Sequence, residues 1–326
     1  MNTRLKMSCI DINSPYCPCL LAETNDCIFC SHLRGGTVCD CNWSGVCILY
    51  EKQWQAKGIG KGDEPVPPIR REYESVFSRR ELIAPATYLL EFAVDEDLAA
   101  ELKKTGAFVF LRRPEDPQFF HFPVGVMKVN GTAIQVAVEG VGPKTNRLLA
   151  AEDGGVVVRG PYYNGVLGQP WIDNITYGTI LLVAGGMGQP PALPLATRLM
   201  AGGNTVHALL APGQVGKVFI DEELRQLGVN VDIVDSLRRS GYARLSDWLA
   251  DRSRRADLVV SAGPDDQHHG VIAAMQAAGV NVPMAATNNS IMCCGEGICG
   301  SCECEISDHR RLRLCKAQTD FAGLAT

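Results

Sequence analysis

No cysteine lies between Cys47 and Cys293, although the chain of 326 residues contains 14 of them. Eight sit in residues 1–47 and six in residues 293–315, leaving 245 consecutive residues without a thiol. A disulfide framework would not leave so long a bare stretch, and a chain of this size does not need one. Two metal-binding ends in a reducing cytoplasm account better for the distribution. No run of about 18 apolar residues is present, which excludes an ordinary membrane-spanning helix, and Met1 to Cys17 has no apolar core of a signal peptide. Excess positive charge is also absent: the net charge of -5 argues against nucleic acid or an anionic membrane surface as the main partner. What remains, 46% hydrophobic and 21% charged residues, describes a globular protein of two or three domains.

The most informative stretch is Cys294-Gly-Glu-Gly-Ile-Cys299-Gly-Ser-Cys302, with Cys315 further on. The C-x4-C-x2-C…C spacing is that of plant-type [2Fe–2S] ligands. Wrapping two irons demands sharp turns, which Gly295, Gly297 and Gly300 permit. Zinc sites more often show two C-x2-C pairs. Cys293 and Cys304 fall outside the pattern and read as bystanders.

The N-terminal block carries Cys17, Cys19, Cys27, Cys30, Cys39, Cys41 and Cys47 with almost no apolar periodicity. Such a segment cannot fold on a hydrophobic core, so metal–thiolate bonds are its expected source of order. A [4Fe–4S] cluster or a four-thiolate zinc site both fit, and the spacing does not say which four thiols ligate. Residues 57–72, rich in glycine, proline and charge, read as a linker.

Residues 73–170 alternate short β-prone segments with turns, among them Asn130-Gly131, a strong hairpin signal. A small antiparallel barrel with one helical insertion at Glu96 to Lys104 is expected. Within it Gly142, Lys144 and Thr145 form a glycine turn opening a short helix, a place suited to phosphate. Over residues 171–282 buried strands alternate with helices, which implies a parallel sheet covered on both faces. Gly185, Gly186 and Gly188 then lie at the carboxyl end of its first strand, with Gly263 and Pro264 ending a later one, all facing one crevice. No acidic residue or arginine stands at the end of VHALLAPG to select a ribose or a 2′-phosphate, which leaves NAD(H) and NADP(H) both open with a lean away from NADP(H). Residues 283–326 hold the thiol-rich C-terminal module.

Taken in order, GAFVFLRRP, VGPKTNRLL, VRGPYYNG, LLVAGGMGQPPALPLA, VSAGPDD and SIMCCGEGICGSCECEI make residues 73–326 resemble the ferredoxin–NADP reductase superfamily. More narrowly they resemble the electron-transfer subunits of type B dihydroorotate dehydrogenase and the small subunits of electron-bifurcating transhydrogenases. Some of the latter carry aspartate as first cluster ligand, where this chain has Cys294. The resemblance implies FAD on the barrel, near Gly142, Thr145, Gly160 and Pro161, and a nicotinamide on the α/β domain. It also implies a multi-subunit oxidoreductase whose other subunits, or ferredoxin, exchange electrons with the cluster. The chain departs from that pattern in one place. The flavin signature, arginine first and serine last, aligns with Phe122, Pro123, Val124 and Gly125, so both the cation and the hydroxyl are missing. Arg112 or Arg113 is the expected substitute for the charge. Ala262 stands where a thiol is common near the nicotinamide. The departure leaves a second reading: a flavin-free adaptor whose clusters wire two enzymes together without nicotinamide chemistry of its own.

Overall fold

The computed structural model describes residues 5, 8–11, 16, 70–151, 154–251, 253–297, 299–306 and 311–324. The N-terminal ligand candidates Cys17, Cys19, Cys27, Cys30, Cys39, Cys41 and Cys47, and most of the stretch read as a linker, lie outside the described residues.

A two-residue strand, β1 (Ser8–Cys9), precedes the first large sheet. That sheet is built from β2 (Arg71–Ala84), β3 (Thr87–Ala93), β4 (Phe108–Arg112), β5 (Phe122–Gly125), β6 (Lys128–Asn130), β7 (Ala133–Glu139) and β8 (Gly155–Tyr162). Every pairing in it is antiparallel, in the order β5-β4-β8-β2-β3-β7-β6. The sheet curls around an apolar interior of Leu90, Phe92, Val109, Leu111, Ile134, Val136, Val156 and Val158, each fully buried. Period-2 alternation sends these side chains inward. Two short helices, α1 (Glu96–Glu101) and α2 (Pro143–Leu149), are inserted between strands. β2 begins at Arg71, inside the stretch read as linker, and Arg70 before it is buried.

The chain then passes through β9 (Val166–Leu167) and α3 (Gln169–Asn174) into a second sheet. Here β10 (Thr179–Gly185), α4 (Gln189–Ala201), β11 (Thr205–Ala211), α5 (Asp221–Gln226), β12 (Asn230–Ile233), α6 (Tyr242–Ala250), β13 (Leu258–Ala262), α7 (Asp265–Ala277) and β14 (Met284–Thr287) alternate. The order is β12-β11-β10-β13-β14-β9, parallel except for β9. β10, β11, β13 and β14 are buried on both faces, which is why they read as apolar runs and not as alternating ones, whereas β12 at the edge is largely exposed. From β10 the sheet grows one way to β11 and the other to β13, so the crevice between them is a topological switch point.

The C-terminal module contributes the hairpin β15 (Glu303–Glu305) and β16 (Arg311–Arg313), then β17 (Ala317–Gln318), which pairs antiparallel with β1. Buried amides staple this module to the junction of the two sheets. Asn164 Nδ2 donates to the carbonyls of Leu314 (2.6 Å) and Ala317 (2.9 Å), and its Oδ1 accepts from Gln318 Nε2 at 2.7 Å. Gln318 Nε2 also donates to Val166 O at 2.6 Å, and its Oε1 accepts from the backbone of Gly168 and Gln169. Asn288 Nδ2 donates to Asn164 O and Leu314 O, both at 2.8 Å. Each group left unpaired in so dry a site would cost about 1–3 kcal/mol. Asn164→Leu is therefore expected to loosen residues 311–318, raising their amide hydrogen-exchange rates at least tenfold. Unchanged exchange there would contradict the staple.

Candidate electron-transfer site

The thiol loop lies on an aromatic floor. Phe108, Phe110, Tyr162 and Met292 are buried together with Cys302 and Cys315. Gly295, Gly297 and Gly300 adopt φ of +71°, +71° and +75°, a left-handed region open chiefly to glycine. At Gly295 space matters as well, because a Cβ would stand 2.5 Å from the Tyr162 ring and 2.9 Å from that of Phe110.

Turning this way aims backbone N–H groups at the sulfurs. Glu296 N and Cys299 N donate to Cys294 Sγ (3.2 and 3.5 Å), Gly297 N to Cys315 Sγ (3.2 Å), and Cys315 N to Cys302 Sγ (3.4 Å). The barrel grips the loop from behind. His121 Nε2 lies 2.7 Å from Cys293 O, and Arg159 donates to Cys294 O at 3.1 Å. Burial first, then the Arg159 charge, pushes His121 down to about 4, so it is a neutral imidazole at neutral pH.

The thiols themselves are crowded. Hydrogen bonding to Cys315 and then burial push the Cys294 thiol up to about 12. Cys315 receives a lowering hydrogen bond from Cys294, but its bond to Cys302 and its burial carry it up to about 12. The bond from Cys315 lowers Cys302. Cys293, read as a bystander, lies within hydrogen-bonding reach of Cys299. Among the described residues no three such side chains converge on a single-ion point; the sulfurs meet pairwise. Backbone donors that already face the sulfurs of Cys294, Cys302 and Cys315 fit a metal–thiolate cluster, in which such bonds orient and tune the sulfurs.

At the switch point a cleft of about 900 Å³ is lined by Gly185, Gly186, Gly188, Gly263 and Pro264, the residues expected there, together with Met187, Gly213 and Gln214. Gly186 and Gly213 have φ of +55° and +57°, and a Cβ on Gly188 would overlap the Ala262 carbonyl, so the turn after β10 packs backbone against backbone. Pro190 and Pro191 then open α4 without wasting a donor. Sequence reasoning looked for ribose-binding groups after β11. The structure supplies polar groups from the next strand: Asp235, Ser236, Arg238, Arg239 and Tyr242 follow β12 and line the cleft. Their signal was the run Asp-Ser-Leu-Arg-Arg-Ser-Gly at the carboxyl end of another strand of the same sheet.

The flavin element is different. Phe122, Pro123, Val124 and Gly125 form β5, the edge of the curled sheet, and present neither charge nor hydroxyl. Arg112, an expected substitute, is committed to Glu72 and to the carbonyls of Arg113, Pro114 and Asp116, and Arg113 pairs with Glu115. Two cations lie beside the start of β5: Lys144, whose Nζ donates to His121 O at 3.0 Å, and Arg159, 3.2 Å from the His121 ring nitrogen. Thr145 Oγ1 accepts from Val141 N and Gly142 N, both at 3.2 Å, so that turn caps itself. Gly160 packs on Val109, where a Cβ would approach to 3.1 Å, and the Gly160–Pro161 bond is cis. These residues do not reproduce the flavin signature of the superfamily.

No family model matches the chain. It is 26% identical over 220 residues to the "Dihydroorotate dehydrogenase B (NAD(+)), electron transfer subunit" of Clostridium perfringens, covering 67% of this chain and 85% of that protein. The subunit of the same name from Bacillus caldolyticus is 29% identical over 246 residues, covering 73% and 90%. Among solved structures, the one described as "Insights into flavin-based electron bifurcation via the NADH-dependent reduced ferredoxin-NADP oxidoreductase structure" superposes with a TM-score of 0.61 at 20% identity, covering 77% and 89%. A ferredoxin reductase of carbazole 1,9a-dioxygenase gives 0.51 at 13% identity, covering 68% and 70%.

The loop reading has a direct test. Gly295→Ala is expected to remove about two irons per chain, the content of one [2Fe–2S] cluster, while far-ultraviolet circular dichroism stays unchanged. Parental iron content in the variant would refute it. In sequence, then, the chain resembles the electron-transfer subunits of type B dihydroorotate dehydrogenase, and in fold it shares the architecture of ferredoxin–NADP reductase-like proteins.

Proposed function

We propose that this chain is the electron-transfer subunit of a multi-subunit oxidoreductase. It exchanges electrons between a nicotinamide dinucleotide in the β10/β13 cleft and a partner subunit or ferredoxin: FAD would divide the hydride's two electrons, and an iron–sulfur cluster on Cys294, Cys299, Cys302 and Cys315 would carry them singly. The observation that carries this reading is the short connection between the two sites. Thr287 and Asn289 line the cleft, and five residues after Asn289 the chain reaches Cys294. Asn289 Nδ2 donates to Gly263 O at 2.7 Å and to Asp265 at 3.0 Å, fixing the start of that connection to the cleft wall. A cluster of this kind supplies one-electron transfer when bound. The chain's own contribution is to orient N–H donors at the sulfurs, to exclude water beneath them with Phe110 and Tyr162, and to hold the cleft open through its glycines. Among the described residues no acid–base constellation accompanies either site, and this reading assigns substrate chemistry to a catalytic partner subunit, with ferredoxin as an alternative electron partner.

Four carboxylates, Glu139, Asp235, Asp265 and Asp266, line the cleft against two cations, Arg238 and Arg239. Arg238 is already paired with Asp266 at 2.8 Å. This balance disfavours an added 2′-phosphate, and NAD(+) stands in the relatives' names. NADH is expected to bind at least tenfold more tightly than NADPH by calorimetry; equal affinities would remove the preference.

FAD is the further cofactor implied by the fold family, and Cys17, Cys19, Cys27, Cys30, Cys39, Cys41 and Cys47 are the candidates for a second, [4Fe–4S] cluster or for zinc. The Phe122 and Gly125 departures favour a second reading, the flavin-free adaptor. Anaerobically purified protein decides between them. Acid-released flavin near one per chain supports the first reading, and its absence the second. About six irons per chain indicates a second cluster, two irons with one zinc a structural N-terminal site. Absence of iron would overturn the proposal.

A further inference from the structure

We infer that Asp11, delivered by the N-terminal segment, is a positioning residue that completes the charge environment of the C-terminal thiolate loop; the inference rests on the cluster reading above. Four charges meet at the base of that loop. Asp11, Arg70 and Lys316 have side chains 0%, 3% and 1% exposed, and Glu296 is 17% exposed. Arg70 bonds both carboxylate oxygens of Asp11 (2.9 and 2.8 Å) and Glu296 Oε2 (2.7 Å). Lys316 Nζ reaches Asp11 and lies 3.1 Å from Glu296 Oε2. The two carboxylates balance the two cations.

Each loop-side member is one bond away from a sulfur contact. Lys316 directly follows Cys315. Its stem runs beneath Gly297, where a Cβ would meet Lys316 Cγ at 3.1 Å, and Gly297 N donates to Cys315 Sγ. The backbone N–H of Glu296 donates to Cys294 Sγ at 3.2 Å while its carboxylate takes both cations. Arg70 comes from the start of the curled sheet, lying over the Tyr162 ring at 4.5 Å and donating to Pro161 O.

Asp11 arrives from furthest away in sequence, 305 positions from Lys316, against 226 between Arg70 and Glu296. It is placed by the pairing of Ser8–Cys9 with Ala317–Gln318 and by the bond from Ile10 N to Lys316 O at 2.7 Å. Without it, Arg70 and Lys316 would face Glu296 alone, leaving one uncompensated positive charge beside the sulfurs in a dry site. Such a charge favours the more negative, reduced state of a bound cluster. Stability gives no equivalent reason for the arrangement, since a buried ion network is commonly matched by apolar residues of the same volume.

The test is an anaerobic redox titration of the full-length protein, following the electron paramagnetic resonance signal of the reduced [2Fe–2S] cluster. Asp11→Asn is expected to raise the reduced-to-oxidised ratio about tenfold at fixed solution potential, about 59 mV for one electron. Lys316→Met, leaving one uncompensated negative charge, is expected to lower it by a similar factor. The double variant should return towards the parent, and Asp11→Glu should stay near it. Opposite signs with mutual cancellation cannot come from simple loosening, which moves both single variants the same way. Single variants that leave the midpoint unmoved, or shift it together, overturn the inference. If Asp11→Asn does not fold, failure of the double variant to offset Lys316→Met overturns it. A parent protein without the signal would instead bring down the cluster reading itself.

Discussion

Two buried cations, Arg70 and Lys316, tie the base of the thiol loop, at Glu296 and beside Cys315, to the N-terminal segment and the curled sheet. Their carboxylate partners come from two different places, Asp11 from the N-terminal segment and Glu296 from the loop itself, while Arg70 stands at the start of the curled sheet. Taking four charges out of water is costly, and their mutual attraction roughly offsets that cost. Removal of any one partner is the expensive event, about 3–5 kcal/mol, because it strands a charge. A network of this kind therefore fixes where the loop sits more than how stable the protein is. The amide staple of Asn164, Asn288 and Gln318 works alongside it without charge, satisfying carbonyls of residues 314 and 317 that no sheet pairs.

The two devices explain why the loop can be simultaneously tight and reachable. Cys302 and Cys315 are buried on the aromatic floor, whereas Cys293 and Cys299 are exposed. One side of the site is thus dry, where hydrogen bonds and nearby charges act strongly, and the other is open to a partner.

Much of this architecture was legible in the sequence because it is written in local patterns. Short β-prone segments separated by turn residues marked the strands of the curled sheet, continuous apolar runs marked β10, β11 and β13, and the C-x4-C-x2-C spacing with its glycines marked the thiol loop. Gly185, Gly188 and Gly263 were placed at one crevice by the rule that parallel sheets bind ligands at their carboxyl ends, and they meet there. What escaped was long-range. Asp11 and Lys316 are 305 positions apart, and nothing in the neighbourhood of either signals the other. A buried lysine after Cys315 reads as an exposed one until its partner is seen. The arginines after β12 escape for a narrower reason: the ribose-binding position in such sheets is the end of the strand next to β10, while this cleft extends one strand further.

The relation between cleft and loop follows from chain length. From Thr287, on the cleft wall, the backbone reaches Cys294 in a stretch that spans at most about 25 Å fully extended. It does not run fully extended. Asn289 is bonded back to Gly263, Asn288 to Asn164 and Leu314, and Ser290 N to the side chain of Asn288, so the path is drawn in at its start. A smaller cavity of about 330 Å³ lies along it, sharing Asp265, Thr287 and Asn289 with the large cleft and reaching Ser301 and Cys302 of the loop. The carboxyl end of β14 is thus the point at which the nucleotide-type sheet and the thiol loop become one structure. A displacement of Asn289 would move the wall of one site and the root of the other together.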